Sequence, residues 1–141
     1  MTIEISALGQ FTTADLAGGG NDTIRTQING TYDAVANGVP IVTNVENGFL
    51  IGSANNDTLT ITGAQLDNLV FGTGTIDFGG GGTDILNLTS TSVNLNTLGA
   101  TDASILGLED INASTAAAGV IVDLNGQAES FMIIGLSLIH I

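Results

Sequence analysis

Residues 78–90 read FGGGGTDILNLTS: four consecutive glycines, a threonine, one aspartate, and then alternating apolar and polar residues. A glycine run opens left-handed and other backbone angles that are closed to residues with a Cβ. Successive carbonyl oxygens can then turn toward one point while the Asp84 carboxylate supplies charge to it. Ligation by oxygen alone, with a carboxylate among the donors, is what a hard cation such as Ca2+ prefers. The residues after Asp84 alternate with period two and return the chain to a strand. Residues 79–84 therefore have the composition of half a calcium-binding turn.

The bulk composition points the same way. Fourteen acidic residues face a single base, Arg25, in a chain of 141 residues, for a formal net charge of −13. Nucleic acid is an improbable partner for such a chain, because phosphates call for Lys and Arg. Anionic membrane surfaces are disfavoured for the same reason. Self-repulsion on this scale weakens a compact state unless counter-charges arrive, and divalent cations supply them. Without cysteine there is no disulfide framework. The opening MTIEISALGQ has neither the basic region nor the apolar region of a cleavable secretion signal. Nor does any run of about twenty apolar residues offer to span a bilayer, so no membrane insertion is expected.

Period-two alternation recurs along the chain in TIEIS, DTLTIT, DILNLT, VNLN and VIVDLN. These runs are rich in Val, Ile, Leu and Thr, and Gly, Asn, Asp and Ser separate them at short intervals. Helical periodicity is weak; GAQLDNLV and TDASILGLED each have room for one or two turns. AGGGNDTIR (17–25), GSANNDTLT (52–60) and GGGGTDILN (79–87) repeat one pattern: small residues, Asp, a Thr or Ile, then an aliphatic. A second echo joins TNVENGFLIGS to GLEDINAS. Repeats of this kind predict stacked units, each burying its face on its neighbour. The expected fold is all-β, a parallel β-helix or β-roll of short strands with Gly/Asn/Asp-rich turns.

The glycine–aspartate turns resemble the haemolysin-type (RTX, repeats-in-toxin) nonapeptide G-G-x-G-x-D-x-U-x, where U is aliphatic. The third copy matches throughout, at Gly79, Gly80, Gly82, Asp84 and Leu86. The first keeps Gly18, Gly20, Asp22 and Ile24, with Ala17 in place of the leading glycine. The second keeps Gly52, Asp57 and Leu59, with Ser53 and Asn55 at the other glycine positions; Asn tolerates left-handed angles better than most residues. Residues 112–135 are similar to the linking segments between such turns in large secreted bacterial repeat proteins. The resemblance implies a calcium-stabilised β-roll in an exported toxin, adhesin or surface-layer protein, secreted without a cleaved leader and folding on Ca2+ outside the cell. Cell-surface or matrix components would be met through the parent protein. Family sites sandwich each ion between tandem turns, whereas the three aspartates here are widely spaced and no second nonapeptide follows directly.

The plainer reading of each turn is an Asp or Asn bonding its own backbone. It is favoured for the 52–57 copy, and calcium for the 79–84 copy. Asp15, Asp33, Asp67 and Asp123 read as solvated or turn-capping, and Glu46 and Glu109 as exposed strand carboxylates or extra ligands. Catalysis finds little footing: His140 is the one histidine, Lys and Cys are absent, and a serine would have no evident general base. Residues 1–135 are expected to form one repeat region, a fragment of a longer chain. The unbroken aliphatics of LSLIHI (136–141) read as a non-native tail or a final apolar strand. Two other functions remain open: a metal-free structural spacer, and an accessory module beside an extracellular polysaccharide-acting enzyme.

Overall fold

The computed structural model describes residues 1–10, 12–16, 19–128 and 130–135. The expected tail at 136–141 lies outside the described residues. The strands are β1 (Thr2–Ile5), β2 (Thr13–Asp15), β3 (Thr23–Gln27), β4 (Thr31–Asp33), β5 (Ile41–Thr43) and β6 (Asn47–Ile51), then β7 (Thr58–Ile61), β8 (Ile76–Asp77), β9 (Ile85–Leu88), β10 (Ile105–Leu106), β11 (Asp110–Asn112) and β12 (Met132–Ile134). Among the described residues three short helices interrupt them: α1 (Ala34–Asn37), α2 (Gly63–Asp67) and α3 (Val93–Gly99).

Every pairing between these strands is parallel. One sheet runs β1-β3-β6-β8-β10, a second β4-β7-β9-β11-β12, and β2 pairs with β5. Spatial order therefore follows chain order, and the chain adds level upon level in one direction. From β6 to β11 a level consists of a strand in the first sheet, a turn, a strand in the second sheet, and a helix or loop that follows. The protein is mostly strand, in parallel sheets with few helices, as the alternation predicts.

The register explains the core. In the first sheet Ile5, Thr26, Leu50, Ile76 and Ile105 align across the strands, all buried. In the second, Leu59, Leu86 and Ile111 align, and Ile61 aligns with Leu88, all fully buried. Like aliphatics thus stack on like between the sheets, each contributing about 1.5–3 kcal/mol of burial. Phe78, also fully buried, fills the corner just before the four glycines.

Three segments depart from the sequence expectations. VNLN (93–96) reads as a strand but opens α3. Ser92, extended at φ −101°, caps it by accepting the Leu95 N–H at 2.9 Å. Asp67, one level below, accepts the Ser92 hydroxyl at 2.5 Å and the Asn94 N–H at 2.9 Å. Residues 101–110 have room for a helix but hold β10 and lead into β11, with Ala103 in the left-handed region at φ 62°. VIVDLN (120–125) keeps its inward valines, Val120 and Val122, yet forms no strand beyond one bridge residue. Its N–H groups go to side chains instead, Ile121 to Thr91 Oγ1 at 3.0 Å and Asp123 to Asn96 Oδ1 at 2.8 Å. The short helix expected within GAQLDNLV is α2, closed by a Thr62–Gln65 capping box.

Thr26 is the one hydroxyl in its inward row, fully buried and without a hydrogen-bond partner. An unsatisfied buried hydroxyl costs about 1–3 kcal/mol. Thr26→Val should therefore raise the urea midpoint, by about 1 kcal/mol of stability, with the slope unchanged. A lower midpoint would show that the hydroxyl is satisfied.

Candidate functional site

The turn leading from the first sheet to the second recurs at four successive levels, as residues 28–30, 52–57, 78–84 and 107–109. The second and third of these stack directly. A Cβ on Gly79, at φ +88°, would stand 2.4 Å from the Ser53 carbonyl oxygen; one on Gly82, at φ +102°, would stand 2.4 Å from Asn56 Oδ1. Both positions demand glycine on backbone angle and on space. Gly80 has open space around it, so contact does not explain that glycine. A Cβ on Gly52 would collide with the Phe78 backbone. Asn55 is exposed, its N–H donating to Ser53 Oγ at 3.2 Å.

The carboxylates at the ends of these turns form a ladder. Asp57 Oδ1 accepts the Gly30 N–H at 2.5 Å from the level below, 27 residues back. Asp84 Oδ1 accepts the Asp57 N–H at 2.7 Å, again over 27 residues. Glu109 Oε2 accepts the Asp84 N–H at 2.7 Å over 25 residues. Each acid thus caps the amide of its counterpart one level earlier. Asp57 also closes its own turn, with Oδ2 accepting the Ser53 N–H at 2.5 Å. Asp57 and Asp84 are buried, whereas Glu109 is exposed.

The same device appears at the entrance to the first sheet. Glu46 Oε2 accepts the Asp22 N–H at 2.7 Å, 24 residues back. In return the N–H groups of Glu46 and Asn47 donate to the Asp22 carbonyl at 3.1 and 3.0 Å. Glu109 and Asp110 do likewise to the Asp84 carbonyl, at 3.2 and 3.1 Å. The echo between TNVENGFLIGS and GLEDINAS is therefore one hydrogen-bonding unit used twice. Glu46 and Glu109 are rungs of the aspartate ladders, and the signal for it was in the sequence: a Glu followed by Asn or Asp, one level after an Asp.

The structure brings the second and third sequence copies together and leaves the first apart. The turn that carries Gly52, Asn55 and Asp57 stacks on the turn that carries Gly79, Gly80, Gly82 and Asp84, so the long interval between them is one full level. Asp22 and Gly20 lie at the other entrance, before β3. Asp22 Oδ1 there accepts a hydrogen bond from the Met1 ammonium group. Gly18 lies outside the described residues. Among the described residues no three His, Cys, Asp or Glu side chains gather where they would hold a metal ion. The acids run along an edge, one per level. The donor chemistry nonetheless fits a hard cation, since carboxylate, carbonyl and amide oxygens line the stacked turns. Asp33, Asp67 and Asp123 cap N–H groups of their own or a neighbouring segment, and Asp15 accepts from Asn44 Nδ2 at 2.7 Å.

Burial pushes the Asp84 carboxyl above its ordinary value of 3.8; the Asp57 N–H opposes the rise, and the charges of Glu109 and Asp57 add to it. The folded state then keeps a proton that the unfolded chain has already released. Its contribution to stability is greatest below the ordinary carboxylate range and declines as pH rises through that range toward neutral. Asp84→Asn keeps an oxygen for the Asp57 N–H while removing the titration. Urea midpoints measured in chelator across that pH range should decline less in Asp84→Asn than in the parent chain; equal declines would take Asp84 out of the effect.

No family model, curated protein or solved structure matches the chain, so a functional reading rests on these residues themselves.

Proposed function

We propose that the chain is a β-solenoid of the parallel β-helix or β-roll kind, and that it serves as a calcium-stabilised structural module of a protein acting outside the cell. The observation that carries this reading is the stacking of the 52–57 turn on the 79–84 turn, with buried Asp57 and Asp84 on successive levels and, among the described residues, no basic side chain bonded to either. Asp57 and Asp84 would hold the ion, and carbonyl oxygens of the two turns would complete its shell. Bound calcium supplies the positive charge that the only base, Arg25, does not; the Arg25 guanidinium lies over the Phe49 ring, 4.9 Å from its centroid. The resemblance to RTX repeats extends the proposal to a secreted bacterial toxin, adhesin or surface-layer protein. Within it this module is non-enzymatic, its carboxylates spent on closing turns.

A metal-free spacer is the second reading, and a specific observation favours it. Asp57 and Asp84 already accept backbone N–H groups, so the turns close without an ion. Under either reading the chain keeps its strands in chelator. What separates them is the response to calcium.

Thermal unfolding followed by far-UV circular dichroism decides between them. A ligand that binds only the folded state adds about 2.7 kcal/mol at a hundredfold excess over its Kd. The midpoint should rise on adding calcium to chelated protein, rise far less with magnesium, and lose the rise in Asp57→Asn/Asp84→Asn. The same midpoint in chelator and in millimolar calcium would leave the spacer.

A further inference from the structure

Away from the acidic ladders, the loop after α2 and the C-terminal end of α3 enclose a groove of about 370 Å³. Gly72 and Gly74 form one wall, Thr97 and Leu98 of α3 another, and Thr101 and Ser104 the end. A smaller recess of about 60 Å³, bounded by Phe71 and Asn94, shares Gly72, Thr97 and Leu98 with the groove. In a chain with fourteen acids, not one charged side chain among the described residues lines either space.

The walls are held rigidly. Gly74 sits so close to the level below that a Cβ would stand 1.7 Å from the Gly48 carbonyl oxygen. Thr73 donates both its N–H, at 2.9 Å, and its hydroxyl, at 2.7 Å, to Asn47 Oδ1. The end wall carries strain: Ala103, between Thr101 and Ser104, has φ 62°, one of two non-glycine residues with positive φ among those described. A left-handed alanine costs about 1–2 kcal/mol, and strain of this kind collects at functional sites.

We propose that this groove binds a neutral sugar unit of a glycan. The Thr73 and Thr97 hydroxyls and the Asn94 side-chain amino group donate within the protein, which leaves the Thr101 and Ser104 hydroxyls, the Asn94 side-chain oxygen and backbone groups for a ligand bearing several hydroxyls. Phe71 bounds the smaller recess and adds apolar character beside the groove. A charged ligand would lose its hydration and meet no counter-charge in these walls. An anion would also meet the repulsion of the whole acidic molecule. A purely apolar ligand would leave the Thr101 and Ser104 hydroxyls without partners. The volume lies within the range of small-molecule sites, toward its lower end. Sugar binding here is independent of calcium, because no ladder residue lines the groove.

The test titrates the 15N-labelled full chain with cellobiose, maltose and diacetylchitobiose, with digalacturonate as the charged comparison. Saturating amide shifts are expected for at least one neutral disaccharide, confined to residues 71–74 and 94–104, with none for digalacturonate. Thr97→Phe, which fills the groove, should abolish them, and Ser104→Ala should weaken binding about tenfold. Absence of saturating shifts with all three neutral sugars overturns the proposal. So do shifts that survive in both variants, or a preference for the charged disaccharide.

Discussion

A strand entering a parallel sheet from a tight turn presents an N–H group before the ladder of backbone bonds has begun, and a buried amide must find a partner. Here that partner is a carboxylate one level on. Gly30 gives its N–H to Asp57, Asp57 to Asp84, Asp84 to Glu109 and, at the other entrance, Asp22 to Glu46. The rest of the architecture depends on this link, because it fixes where each level starts relative to the last. With the starting points fixed, the inward aliphatics align, and the core follows from the register.

The link has an electrostatic cost of its own. Parallel strands lie about 4.8 Å apart, so acids on successive levels face one another across one strand spacing. At an effective dielectric constant near 20, two such charges repel by roughly 3 kcal/mol. A hydrogen bond to a charged acceptor returns about 1.5–3 kcal/mol. The two nearly cancel, which leaves the ladder sensitive to whatever lowers its charge. A proton does so at Asp84, in agreement with the direction of its shifted pKa, and a divalent cation would do so without giving up the carboxylate.

Much of this was legible in the sequence. The alternations at residues 57–62 and 84–89 are strands β7 and β9, and the interval between their aspartates is one level of the fold. The four glycines announced a turn where backbone angles and close approach leave no room for a Cβ, true at Gly79 and Gly82 and not at Gly80. Other features were hidden because they depend on residues far away in the chain. VNLN alternates like a strand, but Asp67 caps it from another level, 27 residues before Asn94, and makes it helical. Glu46 and Glu109 were visible as an echo. Their equivalence to the aspartates required knowing which levels meet, since a Glu reaches by its extra methylene what an Asp reaches through a longer glycine turn.

The equal steps between Gly30, Asp57 and Asp84 also mean that length is a separable property of this molecule. Thr31, Thr58 and Ile85 occupy one register position on three strands, and so do Leu50, Ile76 and Ile105 in the other sheet. Joining Asp57 to Ile85 would remove one whole level and bring β9 against β4, and Ile105 against Leu50, in the alignment they already share with the level removed. In the solenoid proposed above, levels couple only to their neighbours, and the stack behaves as a one-dimensional lattice whose stability grows by increments. A chain of this kind is extended or shortened in whole units, and its reach is set by how many it carries.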